Sequence, residues 1–214
     1  MKPRLLIIGA GGHARVVISI ARRMDNWDLA GVLSRETPAK PEQIDGVPIV
    51  GNYADAARLH AEGWHHAALA LGDNAERASR YDSLEQLGFV FPVLRHPSAL
   101  IEYNVTIGEG CVICAGAILC AEVRLGRGVI VNTGSILDHE TRVDDHAHIA
   151  PGCRVAGRVN IGEGAMLGIG TCVREKINIG AQSLLGAGSV VIEDIPANVV
   201  AYGIPARVAH ARTT

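Results

Sequence analysis

The sequence predicts a two-part chain, a small parallel α/β half domain followed by a parallel β-helix of hexapeptide repeats. Three observations carry this. Apolar residues recur every six positions across the second half. A glycine-rich turn joins an apolar run to an amphipathic one near the start. The 214 residues contain 25 Gly but only two Trp, four Tyr and two Phe. With 48% hydrophobic and 20% charged residues, the chain can bury a core, and that core must be built from small and branched side chains.

The repeat is counted from Ile101 in steps of six, through Ile107, Ile113, Leu119 and onward to Val191. All sixteen positions are Ile, Leu or Val. This period fits neither a helix nor one long alternating strand. Each hexapeptide reads as a short strand plus a turn. Positions five and one point inward, and position six points outward between them. Gly, Asn or Asp at position two is expected to take the awkward φ of the turn. Three hexapeptides close a coil of 18 residues, and coils stack at roughly 4.8 Å. So narrow a coil excludes aromatics, and Tyr103 is the only one between 101 and 196.

Toward the N-terminus, residues 4–8 (RLLII) read as a buried strand and Arg15 to Met24 as a helix. Residues 29–33 (LAGVL) and 67–72 (AALALG) read as further strands, with helical stretches at 54–62 and 73–88. The result is a Rossmann-like βαβαβ half domain over 1–96, with the β-helix and its tail over 97–214. Gly9, Gly11 and Ala14 match G-x-G-x-x-G/A, a pattern that lets backbone approach a phosphate at a helix N-terminus. The second strand ends in Ser34-Arg35 and not in the acid that would hold a ribose. Half a domain suits a nucleotide sugar better than a dinucleotide.

A net charge of −2 does not point to a nucleic-acid partner or a polybasic membrane anchor. No run approaches the ~18 apolar residues of a membrane span. The start lacks signal-peptide character, and five Cys, an odd number, suit a reducing cytoplasm.

The chemistry concentrates in VNTGSILDHETRVDDHAHIAPG. His139 lies in a turn, followed directly by Glu140, and His148 stands at an outward position six nine residues later. Such a pair can move protons near neutral pH. Two metal readings compete: His139, His146 and His148 as a three-histidine zinc set, and Cys111-x-x-Cys114 as a zinc knuckle. Against the second, Cys111 and Cys153 fall at inward slots and suit core filling. Arg207 and Arg212 near the end either contact a phosphate-bearing ligand or belong to a solvated tail.

VNTGSILDHE with its later His, GAGGHA, LGDN and GIPAR together resemble one family over essentially the whole chain. It is the bacterial nucleotide-sugar and sialic-acid acetyltransferases, hexapeptide-repeat acyltransferases whose nearest members N-acetylate UDP-4-amino-4,6-dideoxy sugars. The resemblance implies a left-handed parallel β-helix, acetyl-CoA as co-substrate, no metal, and a homotrimer with active sites between chains. It implies His139 as general base and Glu140 as its orienting carboxylate. Asn132 and His148 line the acetyl-CoA site, with His148 available to donate to the thioester oxygen. Gly157, Ile169 and Ala187 meet the pantetheine arm. Gly11, Gly12, His13, Ser34, Gly72, Asp73 and Asn74 are implied at the nucleotide-sugar site. Ser34 and Arg35 stand where close relatives carry acids, which leaves UDP, GDP and dTDP open. The implied activity is N-acetylation of a nucleotide-linked 4-amino sugar in surface glycan biosynthesis. O-acetylation of sialic acid and a non-enzymatic sugar-nucleotide binder are the alternatives.

Overall fold

The computed structural model describes residues 2–212; Met1, Thr213 and Thr214 lie outside it. Contacts divide the chain into two compact units, Met1–Pro97 and Ser98–Thr214.

In the first unit β1 (Arg4–Ile8) leads into α1 (Gly12–Met24), then β2 (Asp28–Ser34), β3 (Gln43–Ile44) and β4 (Val47–Asn52). After these come α2 (Ala56–Ala61), β5 (His66–Leu69) and α3 (Asn74–Gln86). The sheet order is β3-β4-β2-β1-β5. β1 lies between β2 and β5 and is parallel to both. α1 buries Ala14, Val17, Ile18 and Ala21, a stripe at helical spacing. On the other side Leu6, Ile8, Leu69, Tyr81 and Phe91 form a core. Sequence reasoning passed over the hairpin of β3 and β4, because Pro48 and Gly51 break the strand pattern there. Pro48 is tolerated because β4 meets its outer partner over only two residue pairs. The third expected strand is also shorter: it ends at Leu69, so residues 70–72 form a loop beyond the sheet edge.

The second unit is the anticipated solenoid. Its two-residue strands lie on three faces. One runs from Leu100–Ile101 to Val190–Val191, the next from Thr106–Ile107 to Asn178–Ile179, and the third from Val112–Ile113 to Leu184–Leu185. Each strand pairs in parallel with the strand 18 residues away, as Ile118↔Ile136 and Ile136↔Arg154 show. Position-one residues such as Leu137 and Ile149, and position-five residues such as Ala147 and Cys153, have no exposed surface. Polar position-five side chains still find partners. Ser135 Oγ donates to the Ala150 carbonyl at 2.7 Å, and Ser183 Oγ to that of Gly180 at 2.7 Å. Buried hydroxyls are thereby satisfied within the coil.

The turn chemistry differs from expectation. The left-handed residue is at position four, not two: Gly134, Glu140, Gly152 and Arg158 have φ of 66°, 59°, 71° and 61°. Position-two glycines instead allow coils to approach. A Cβ on Gly168 would lie 2.5 Å from the Leu185 carbonyl oxygen. The C-terminal stretch is also more regular than its prolines suggest. Val199–Gly203 pairs in parallel with Leu184–Leu185 and then antiparallel with Ala206–Ala211, extending the third face.

Candidate active site

His139 occupies the corner that follows the first face, one residue beyond Asp138, whose Oδ1 accepts the His139 backbone N–H at 2.7 Å. The left-handed backbone of Glu140 turns its side chain back. Its Oε2 accepts from His139 Nδ1 at 3.0 Å and from Arg158 Nε at 2.8 Å. Arg158 sits 18 residues on, so coil stacking alone brings it level with Glu140, and its own N–H donates to the His139 carbonyl at 2.9 Å. Arg158 first, and His139 second, hold the Glu140 carboxyl below its ordinary range. With Nδ1–H donated to Glu140, Nε2 carries the lone pair of the neutral ring. That nitrogen lies over Gly157, where a Cβ would fall 2.5 Å from it.

Arg158 escaped sequence reasoning, although the 18-residue coil period pointed to it. Arg158→Ala is expected to lower kcat by roughly tenfold, short of the 10²-fold cost of a full ångström of misplacement. Arg158→Lys should recover only part of that, since lysine supplies charge without the planar fork. The melting temperature should not move, because the pair is half-exposed. Steady-state kinetics on both variants check this.

On the third face, Asn132 directly follows the strand Ile130–Val131 and His148 opens the neighbouring strand, with Asn132 Nδ2 and His148 Nε2 3.1 Å apart. His148 was expected to face outward, and it does, between inward Ala147 and Ile149, but it is only 7% exposed and its Nε2 meets Asn132. Ile169, 57% exposed, and Ala187, also exposed, stack in successive turns at the corner after the third face. The residues therefore fall into two groups on this chain: His139, Glu140 and Gly157 at one corner, Ile169 and Ala187 at another. Beside the His139 corner the first face carries an open groove of about 420 Å³, lined by Ile136, Asp138, Arg154, Cys172, Arg174 and Val190.

The zinc readings fare poorly on placement. The His139 ring pairs with Glu140, that of His148 with Asn132, and that of His146 packs where a Gly128 Cβ would lie 2.4 Å away. Among the described residues no group of three or more His, Cys, Asp or Glu is placed to hold a metal ion. Cys111, Cys114 and Cys153 are buried. Burial pushes the Cys114 thiol up to about 12 and that of Cys153 to about 11, so both stay protonated core fillers.

The first unit has a pocket of about 510 Å³ at the carboxyl ends of its central strands, where β2 and β5 diverge on either side of β1. Gly11, Gly12, His13 and Gly72 line it, with Arg35, Tyr53 and Glu76. Gly11 caps α1 without a side chain, and a Cβ on Gly11, Gly12 or Gly72 would meet nothing within 4 Å. These glycines thus present bare backbone to open space at a helix N-terminus, the arrangement that receives phosphate. Gly9 has a packing role: φ is 113° and a Cβ would lie 2.8 Å from the Ala70 carbonyl oxygen.

Three residues expected at this site are not among those lining the pocket. Ser34 Oγ donates to the Glu36 carbonyl at 2.5 Å. Asp73 caps α3 by accepting the Glu76 N–H at 2.8 Å. Asn74 Oδ1 accepts from buried Arg77 at 2.8 Å, and Arg77 also donates to the Leu71 carbonyl at 3.0 Å. The LGDN motif therefore shapes the loop that carries Gly72. Tyr53, Glu76 and Arg77 went unnoticed in the sequence, because only the fold brings them to the glycine turn.

Burial first, and Arg77 second, lower the His13 imidazole to about 4. The unfolded chain takes that proton near pH 6.5, whereas the folded chain refuses it until about pH 4. Stability should therefore be full above pH 6.5 and fall as the pH drops from there to about 4. Urea titrations of wild type and His13→Gln should show a smaller acid loss in the variant.

Comparison with known proteins agrees with this architecture. Residues 4–84 match the PglD N-terminal domain model. PerB from Caulobacter crescentus, solved with CoA and GDP-perosamine, is 36% identical over 96% of each chain, with a TM-score of 0.90. The acetyltransferase domain of PglB from Neisseria gonorrhoeae, solved with acetyl coenzyme A, is 32% identical over 98% of this chain and all of that one, also at 0.90. WeeI from Acinetobacter baumannii, at 23% identity and 0.88, shares the fold. No sequence among the curated proteins matches. The solenoid is a left-handed parallel β-helix, and the chain belongs to the nucleotide-sugar N-acetyltransferases, acetyl-CoA-dependent acyltransferases that begin with a PglD-type domain.

Proposed function

We propose that the chain acetylates the amino group of a nucleotide-linked 4-amino-4,6-dideoxy sugar, in the building of surface glycans, with His139 as general base. The observation that carries this is the His139–Glu140 pair, with Nδ1 committed to the carboxylate and Nε2 left to act. The neutral amine attacks the thioester carbonyl. As the C–N bond forms, His139 Nε2 takes the amine proton, and Glu140 stabilises the resulting imidazolium. The C–S bond breaks, and CoA leaves as a thiolate that takes the proton from the His139 imidazolium, returning the base to its neutral form. No acyl-enzyme forms. The pocket behind Gly11 and Gly12 receives the nucleotide diphosphate on the α1 N-terminus.

The division of site residues between two corners supports a homotrimer, in which the His139 corner of one protomer faces the Ile169–Ala187 corner of the next. CoA would lie between them, along residues no single chain brings together. The relatives solved with CoA and GDP-perosamine or with acetyl coenzyme A support both substrates.

The test is thiol release from acetyl-CoA with a panel of UDP-, GDP- and dTDP-4-amino sugars and free sialic acid. One or more amino-sugar nucleotides should turn over. Turnover of sialic acid alone would replace this reading with O-acetylation. Tight nucleotide-sugar binding without turnover would replace it with a binding protein.

A further inference from the structure

We propose that Glu76 and Arg35 select the base of the nucleotide, and that the base they fit is guanine. This deepens, and rests on, the reading of the first unit's pocket as the nucleotide-sugar site.

The diphosphate has its place at the bare N-terminus of α1, made by Gly11 and Gly12. The charged side chains on the pocket wall are Arg35 and Glu76, with Arg35 Nη2 donating to Glu76 Oε1 at 2.9 Å. Arg35 follows β2 and Glu76 belongs to the first turn of α3, so the fold joins them from opposite sides of β1. The carboxylate missing from the end of β2 is thus supplied across the pocket. Asp73, capping α3 through the Glu76 N–H, fixes the backbone from which that side chain projects. Glu76 is the more buried of the two, with 23% of its side chain exposed against 74% for Arg35.

The pair offers a carboxylate next to a guanidinium, two acceptors beside a row of donors. The guanine edge offers the complement, N1–H and N2–H beside the O6 acceptor. Each carboxylate oxygen has two lone pairs, so Oε1 can keep Arg35 while both oxygens accept from the base. Uracil and thymine present one N–H between two carbonyls, so one carboxylate oxygen would face a base acceptor. Adenine presents an amino group but no adjacent ring N–H. Tyr53, with the Arg80 guanidinium 4.6 Å from its ring centroid, gives the pocket its aromatic surface, against which a purine can stack.

The test is calorimetric binding of GDP, IDP, UDP and dTDP to the full-length protein and to its Glu76→Gln variant. IDP lacks only the exocyclic N2 amine. Wild type should bind GDP tightest, with IDP, UDP and dTDP each at least about tenfold weaker, the usual discrimination of a good bidentate base contact. Glu76→Gln should lose tenfold or more for GDP, close the gap between GDP and IDP, and leave UDP nearly unchanged. Tighter binding of UDP or dTDP than GDP would overturn the proposal. An equal loss for all four nucleotides in the variant would also overturn it, placing Glu76 on the ribose or on the loop. Binding of none of the four by wild type would overturn the nucleotide-sugar reading itself.

Discussion

Replacing His139 with alanine should cut kcat by roughly 10²–10⁴-fold, the usual contribution of a positioned general base, while acetyl-CoA still binds. The ring is half-exposed at a solenoid corner, so its loss leaves no core cavity. The coil's inward residues, Leu137 before it and Thr141 after it, remain in place. A fall in kcat with unchanged acetyl-CoA affinity and unchanged melting temperature is therefore the signature of lost chemistry. Near-normal turnover would remove His139 from the mechanism. The companion change Glu140→Gln keeps the shape but removes the charge that both His139 Nδ1 and Arg158 Nε use. It should lower kcat less than H139A does, because Nε2 still carries a lone pair.

Gly157→Ala should lower kcat by about 10²-fold, because its single added methyl group displaces the base. The added Cβ would lie 2.5 Å from His139 Nε2 and 2.6 Å from Cε1, so the ring has to swing away. The backbone at Gly157 is not left-handed, so alanine brings no conformational strain of its own. Gly134, by contrast, has φ 66° and open space around its Cβ, and alanine there should cost stability without moving His139. Comparing kcat and melting temperature for the two glycine variants separates displacement of the base from general damage. If G157A retains wild-type kcat, the base does not act from the position seen above Gly157.

How much of this could be read from the sequence follows from the range of each interaction. The six-residue count reveals the solenoid because coil geometry is local and repeats sixteen times. The GAGGHA turn reveals a phosphate cradle for the same reason. The dyad of His139 and Glu140 is legible because the two are adjacent in the chain. Arg158 was within reach, one coil further on, but needed the register to be trusted. Glu76 and Tyr53 were out of reach, since nothing short of the folded sheet places residues from three segments around Gly11. Burial was the weakest point. Alternation gave His148 an outward direction, and it does point outward, yet it is closed in and paired with Asn132. Position four, where the left-handed residues fall, was misassigned to position two because glycines are frequent at both.

The most direct measurement is acceptor-dependent CoA release with a matched pair of acceptors, a GDP-linked 4-amino-4,6-dideoxy sugar and the same nucleotide sugar with a 4-hydroxyl. A His139 base that takes a proton from an attacking amine predicts CoA release with the amino sugar, an equal amount of N-acetylated product, and none from the hydroxyl analogue. Release with the hydroxyl sugar alone, or with neither sugar across the UDP- and dTDP-linked pairs as well, would contradict it.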